Sequence, residues 1–451
     1  MGATGVRHGV AVGPGQVPKI AEPYRPGPGL VARLRSDVTA AMTANPAGAG
    51  TAGAREEQAA QLITEALRAD AVTRISSGRP PLTDVEERAV VKAVLDELFG
   101  LGRLQPLLDD ERIENINVTG ADTVHVRYAD GSRARLAPIA GCDEELVGLI
   151  RLAAARLGVT ERRFDTASPA LSMRLPDGSR LFAVMDVTER PAIAIRRHRH
   201  LAVSGNDLVR MGVLGADLRA LLKAAVRARR NMIISGGTNV GKTTVLRALA
   251  ADIPPAERLI TIEDCRELAL DRDRQAHPDV VTMETRDANI EGEGEITCAE
   301  LTRWALRMSP DRVIVGEARG GEVIPLLNAM SQGNDGSLAT IHASTSQGVF
   351  QRIATYAAQA EERLNLEASS LLIAGAVHLV VHLDYDTCGN RVVASIREVT
   401  GAEDGRVVSN EIYRPGPDGR AVPAAPIRTD TMDRLIAAGL DPDVLLEMSP
   451  A

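Results

Sequence analysis

Aromatic residues are scarce in this 451-residue chain, which has one Trp, four Phe and five Tyr. A stacking platform for single-stranded nucleic acid needs aromatic faces, so their scarcity argues against that class. Cysteine is sparse too: Cys142, Cys265, Cys298 and Cys388 lie far apart, with no CxxC pair and no metal-ligand spacing. They read as reduced thiols of a cytosolic protein, not as a disulfide framework or a zinc site. An excess of positive charge is missing as well. The formal charge is −8, the opposite of the basic footprint expected of a protein living on DNA or RNA. Local basic runs exist (Arg227-Ala228-Arg229-Arg230 and Arg196-Arg197-His198-Arg199-His200) and weigh the other way. No uninterrupted apolar run approaches the roughly twenty residues of a membrane helix, and the start lacks a signal-peptide pattern. The expectation is a cytoplasmic protein that meets a membrane only peripherally, through a partner.

What is present is an ordinary globular composition, 44% hydrophobic and 25% charged, in a chain long enough for two or three domains. Residues 1–54 are rich in Gly, Pro and Ala with few large apolar residues, which predicts a disordered extension. Residues 55–108 turn helical, with Thr83 and Glu86 as a capping pair. Residues 109–203 read as a small α/β domain. Its strand candidates include Ile113–Val118, Val124–Tyr128, Ser179–Val187 and Ala192–Arg197. The polar stretch Ser204-Gly205-Asn206-Asp207 marks a linker over 204–213. Residues 214–400 carry the strand, glycine loop, helix rhythm of a parallel sheet covered by helices. Residues 401–451 read as a tail with a last short helix over 431–438. The fold class is therefore α/β.

The sharpest motif begins with the apolar strand Asn231-Met232-Ile233-Ile234-Ser235. It runs into Gly236-Gly237-Thr238-Asn239-Val240-Gly241-Lys242-Thr243-Thr244 and then a helical segment. This is GxxxxGK[ST] in its required strand–loop–helix context. Glycines let backbone N–H groups turn inward around phosphates, and a helix N-terminus adds its positive end. Lys242 would neutralise the β- and γ-phosphates of ATP, and Thr243 would place its hydroxyl on Mg²⁺. Two further strands end in acids: Leu259–Ile262 before Glu263-Asp264, and Val313–Gly316 before Glu317. Alone, each acid would read as a strand-end ion-pair partner. Behind a phosphate loop, the two suit a general base and a magnesium organiser.

With these residues in place, the chain resembles the type II/type IV secretion system ATPases, most closely the Tad/Flp pilus assembly branch. The likeness runs from about Leu98 to the C-terminus. It rests on Phe99-Gly100-Leu101-Gly102-Arg103-Leu104, Arg163-Phe164-Asp165, Arg174-Leu175-Pro176-Asp177-Gly178-Ser179-Arg180 and Thr261-Ile262-Glu263-Asp264. It continues through Pro310–Glu322 and Asp335-Gly336-Ser337-Leu338-Ala339-Thr340-Ile341-His342-Ala343. The resemblance implies a RecA-like P-loop core behind a small N-terminal domain. Glu263 would be the base that activates water, Glu317 the acid that helps hold Mg²⁺, and His342 a sensor of the γ-phosphate. Arg180 and Arg196, with Arg174 as a further candidate, would lend the N-terminal domain's positive charge to the nucleotide. One departure stands out: the family often has histidine where this chain has Asn334.

The resemblance also implies a homohexameric ring, with nucleotide between the N-terminal domain and the core and a hinge near Ser204–Asp207. Docked on an inner-membrane platform protein, the ring would power pilus assembly or secretion, with no nucleic acid in direct contact. Two alternatives stay open: a nucleic-acid-translocating ATPase of conjugation type, and a nucleotide-gated module with little turnover.

Overall fold

Leu30, Val31, Leu34 and Val38 recur at helical spacing, and in the computed structural model they line one side of α1 (Pro28–Ala44). The structure describes residues 26–44, 52–157, 163–197, 203–286, 288 and 291–446. Helix α1 packs with α2 (Ala52–Ser76) and α3 (Asp84–Leu98), burying Val31, Leu34 and Val38 against Ala59, Ile63, Leu67, Val90 and Val94. The expectation of disorder over 1–54 is thus corrected for 28–44 and for the start of α2. Its remainder, 1–25 and 45–51, lies outside the described residues. The apolar residues there are few, but they fall on one helical face, and their periodicity outweighs the Gly- and Ala-rich average. Thr83 and Glu86 form the capping box that starts α3, with the Thr83 amide donating to Glu86 Oε2 at 2.8 Å.

The chain divides into two compact units, residues 1–156 with 185–192, and residues 157–184 with 193–451. In the first, the three helices are followed by α4 (Gln105–Asp109), then β1 (Ile113–Thr119), β2 (Thr123–Tyr128) and β3 (Arg133–Leu136), an antiparallel meander, and α5 (Asp143–Leu157). Here Arg190 ties Asp143 (2.7 Å) to Asp122 (2.7 Å). The second unit opens with the hairpin β4 (Ala170–Arg174) and β5 (Arg180–Val184), then β6 (Ala192–Arg196).

The span 204–213 is not a loose linker. Ser204 caps α6 (Gly205–Arg210) in a capping box with Asp207, and Leu208 is buried in the core of the second unit. The polar residues that suggested a hinge are the capping groups of a helix, which is why composition alone misread them. Next come α7 (Ala216–Arg227), β7 (Met232–Gly236), α8 (Lys242–Ala250), β8 (Leu259–Glu263) and β9 (Val280–Glu284). They are followed by α9 (Cys298–Ala305), β10 (Arg312–Ala318), α10 (Val323–Ser331) and β11 (Leu338–His342). Then α11 (Gly348–Gln359) and α12 (Leu366–Ala376) lead to β12 (Leu379–Tyr385).

The presumed tail begins inside the same sheet. Strands β13 (Arg391–Glu403), β14 (Arg406–Pro415) and β15 (Ala421–Pro423) extend it antiparallel, and α13 (Thr429–Ala437) and α14 (Asp443–Leu446) close the described chain. Ile412, Tyr413, Leu435 and Leu440 join the core, so the boundary at residue 400 falls within a strand. The sheet order is β15-β14-β13-β12-β7-β11-β10-β8-β9, parallel from β12 to β9. Neighbouring residues of β7 face opposite ways: Met232 and Ile234 join one apolar cluster with α7 and α8, Ile233 another with α9 to α12. Burial on both faces explains the uninterrupted apolar strands seen in the sequence. The fold is α/β, with a phosphate-loop motif at the end of β7 in a largely parallel sheet. No helix among the described residues is long and apolar enough to cross a membrane.

Candidate functional site

Parallel strands bring their C-terminal ends to one edge, and here four neighbouring strands, β7, β11, β10 and β8, deliver the sequence's candidates together. β7 is buried along its whole length and turns sharply at Gly236, where a Cβ would come within 2.6 Å of the Leu383 carbonyl oxygen. Only glycine fits there. Gly237, Thr238, Asn239 and Val240 carry the loop to Gly241, whose φ of 97° again demands glycine. Lys242 then starts α8, with Thr243 and Thr244 in its first turn, so the loop and the helix N-terminus present backbone N–H groups together.

Lys242 is buried. Its Nζ donates to the carbonyls of Gly236 (3.2 Å) and Gly237 (2.7 Å) and lies 3.2 Å from His342 Nδ1. Burial pushes its pKa down to about 8, against the attraction of Glu317. His342 closes β11, opposite Gly236 of β7 in the strand register. Its Nε2 is 2.7 Å from Glu317 Oε1. Burial, and then the Lys242 charge, lower the imidazole pKa. The Lys242 contact suits a neutral ring that accepts at Nδ1, with Nε2 set close to the Glu317 carboxylate.

Glu317 sits where β10 is irregular, between Val315 and Ala318. Arg319 donates to it at 2.6 Å and reaches Asp264 at 3.1 Å. Burial works to raise the Glu317 pKa, but Arg319, with His342 and Lys242, outweighs it and holds the carboxyl below its usual range. Glu263, at the end of β8, is 3% exposed. Its Oε1 accepts from the amides of Glu267 and Leu268, each at 2.9 Å, while Oε2 is buried with no partner. Burial pushes its pKa up to about 7. Gly316 makes room for it: a Cβ there would stand 2.8 Å from Glu263 Cγ.

The side chains fit a magnesium nucleotide. Thr243 and Glu317 offer hard oxygen donors, and no group of three or more His, Cys, Asp or Glu forms a metal cluster among the described residues. That suits Mg²⁺, which takes one or two protein oxygens and completes its shell with phosphates and water. The orphaned Glu263 Oε2 is an acceptor kept in reserve.

The arginine candidates are less closely engaged. Arg196, on β6, is exposed and its charge acts on Lys242. Arg174 and Arg180 face each other across the β4–β5 hairpin, and their charges act on the Cys265 thiol, next to Asp264. Among the described residues, none of the three hydrogen-bonds to Glu263, Glu317 or His342. Asn334 lies before β11, donating to the Pro310 carbonyl, while His342 ends that strand. The family's variable histidine position is therefore at the far end of the strand from the phosphate loop. A cavity of about 540 Å³ opens at that far edge, lined by Arg229, Arg230, Asp335, His378 and Arg434 among others, and contains none of the candidates.

Sequence reasoning missed three residues of this site: Arg319, which bridges two of its acids; Gly316, which admits Glu263; and Arg247, which is described below. The first two lie inside the recognised Glu317 segment and were legible as its neighbours. Arg247 carried no signal, because a helical arginine is ordinarily solvent-facing.

Known proteins resemble the chain over this same region. Residues 97–422 match the family described as Type II/IV secretion system protein. A Mycobacterium tuberculosis protein named provisionally for conjugal transfer is 36% identical over 341 residues, 74% of this chain and 93% of the relative. The type IV secretion system protein VirB11 of Brucella suis is 30% identical over 328 residues, 66% of this chain and 88% of the relative. Conjugal transfer protein TrbB of Rhizobium radiobacter is 32% identical over 233 residues, 51% of this chain and 67% of the relative. Among solved structures, the Brucella suis VirB11 ATPase in complex with sulphate covers 68% of this chain and 96% of that one, at 27% identity and a TM-score of 0.35. The family match extends from the end of α3, through the phosphate loop and both strand-end acids, to β15. This chain belongs to the Type II/IV secretion system protein family.

Proposed function

We propose that this protein is an ATPase that works as a homohexameric ring and powers pilus assembly of the Tad/Flp kind, or secretion, at an inner-membrane platform. The observation that carries the hydrolytic part is Glu263: a buried carboxylate with one oxygen pinned by two amides and the other unpartnered. It stands one strand from Glu317. A carboxylate with a pKa near 7 is matched to taking a proton from water at neutral pH.

The grouping of the other candidates at the same sheet edge supports the remaining roles. The loop amides of 237–241 and Lys242 bind the phosphates, for which Lys242 exchanges its present carbonyl partners. Thr243 and Glu317 would hold Mg²⁺, which when bound neutralises charge on the phosphate oxygens. His342, touching both Lys242 and Glu317, is placed to sense what occupies the space beside them. Arg180 and Arg196 supply positive charge to the transferred phosphoryl group. Release of product and return of ATP drive a cycle of conformations with different nucleotide affinity, which is the source of work.

The test is ATP hydrolysis by the purified protein against concentration, for wild type, Lys242→Ala and Glu263→Gln, with molecular mass measured alongside. Specific activity that rises as hexamers form, and disappears in both variants, supports the ring ATPase. Turnover that survives Glu263→Gln, or ignores concentration, sinks the base or the ring.

The conjugal-transfer names of two relatives favour a second reading, a motor that moves nucleic acid. It predicts DNA-stimulated hydrolysis and steeply salt-dependent DNA binding; the net charge of −8 stands against it. Adding duplex and single-stranded DNA to the same assay separates the two.

A further inference from the structure

The backbone turn that grips Glu263 is itself gripped from the phosphate-loop helix. Arg247 lies on α8, five positions beyond Lys242, and is 7% exposed. Its Nε donates to the Leu268 carbonyl at 2.8 Å, and its Nη2 donates to the Glu267 carbonyl. The amides of these same two residues donate to Glu263 Oε1 at 2.9 Å each. One turn of chain thus shows its carbonyls to Arg247 and its amides to Glu263.

The consequence for the carboxylate is geometric. With Oε1 fixed by two donors, rotation of the carboxyl group is stopped, and Oε2 stays buried without a partner. The turn between β8 and the next helical residues is irregular, and Ala269 just beyond it has a left-handed φ of 49°. An alanine keeps that conformation only where its surroundings impose it. Arg247 is one such constraint, anchored in the helix whose first turn carries Lys242 and Thr243.

We propose that Arg247 is a positioning residue for hydrolysis: it holds the Glu267–Leu268 turn so that Glu263 keeps one oxygen fixed and the other free for water. It thereby ties the aim of the base to the helix that binds the phosphates. The inference rests on the reading of Glu263 as the base. A guanidinium suits the task because its planar fork reaches two neighbouring carbonyls at once, which a lysine ammonium does not match.

The experiment uses the full-length protein as wild type, Arg247→Met, Arg247→Lys, Glu263→Gln and the Arg247→Met/Glu263→Gln double variant. It measures kcat and KM for ATP, the Kd of a fluorescent ATP analogue, and melting. Arg247→Met is expected to lower kcat about 10–100-fold, the cost of a misplaced catalytic group, with KM and Kd within about threefold of wild type. Arg247→Lys should restore part of kcat. The double variant should be no slower than Glu263→Gln alone, because a residue acting through Glu263 has nothing left to act on.

Wild-type kcat in Arg247→Met overturns the proposal, as does a lost Kd with kcat retained. A double variant slowed by the product of the two single effects overturns it too. If Arg247→Met does not fold, Arg247→Lys decides by the same split: reduced kcat at unchanged Kd supports positioning, wild-type kcat refutes it. Glu263→Gln with wild-type turnover marks failure of the base assignment itself, and the positioning role falls with it.

Discussion

At the N-terminal ends of β7 and β10, Asn231 and Arg312 use nearly all their hydrogen-bonding capacity; at the C-terminal end of β8, Glu263 does not. Asn231 donates to the carbonyls of Met330 (2.6 Å) and Ala376 (2.7 Å) and accepts from the amides of Gly336 (2.7 Å) and Ser337 (3.1 Å). Arg312, with no exposed surface, makes a two-pronged pair with Glu257 (2.7 and 2.8 Å) and donates to the Val226 carbonyl at 2.8 Å. Across the sheet, Glu263 keeps an oxygen without a partner and Lys242 spends its charge on backbone carbonyls. A satisfied buried network rigidifies, whereas an unsatisfied one stores free energy that a ligand can release. The same strands therefore hold the loop still at one end and leave binding capacity at the other.

Substitutions at the two ends should fail in different ways. The largest effect is expected at the C-terminal edge, where Lys242→Ala and Glu263→Gln should each cut ATP turnover by at least ~10³-fold, the scale for removing a key transition-state interaction. Melting temperatures should stay near wild type. A variant that instead unfolds would erase the distinction between the ends. Next comes Arg312→Met, which removes the two-pronged pair and leaves Glu257 with Arg229 alone, at 2.8 Å, and should cost about 1–3 kcal/mol, read by urea unfolding. If it is tolerated within 1 kcal/mol, roughly the scale of an exposed ion pair, the far edge is not the rigid anchor described above.

The pH profile is expected to show a smaller effect. Burial raises the Glu263 pKa to about 7, so the carboxyl gains its proton as pH falls through 7 and can no longer accept one from water. Turnover should drop about tenfold per pH unit below that point, in stopped assays corrected for stability. An acid limb near the ordinary carboxylate value would mean that the working enzyme solvates Glu263. The smallest change is predicted for Asn334→His, which restores the family's commoner residue at the quiet edge. It should alter kcat by less than about twofold, and a large gain would show that the far edge takes part in the chemistry.

Legibility in the sequence followed the range of the physics involved. The phosphate loop was readable residue by residue because strand, glycine turn and helix start are local and adjacent. Glu263 and Glu317 were readable as strand-end acids, although their neighbourhood depended on β8 and β10 pairing. His342 on its own would have read as a core histidine; its place between Lys242 and Glu317 comes from the β7–β11 register. Averages misled where a few residues did the work. The stripe from Leu30 to Val38 hid in a Gly- and Ala-rich stretch, and Ser204 and Asp207 passed for a linker while capping a helix. The antiparallel strands β14 and β15 and the end of β13 read as a tail, because an added edge shows itself only in its pairing.

The sequence alone determined the α/β class, the nucleotide loop and the two acids, since each rests on contacts between residues near in the chain. Only the tertiary structure decided that Glu263 is buried with one free oxygen and that Gly316 gives way to it. The grip of Arg247 on the turn behind it was likewise settled only there. Those features arise where α8, β8 and the more distant β10 close on one carboxylate. Burial and hydrogen-bond supply at such a point belong to the packing, and no local pattern records them.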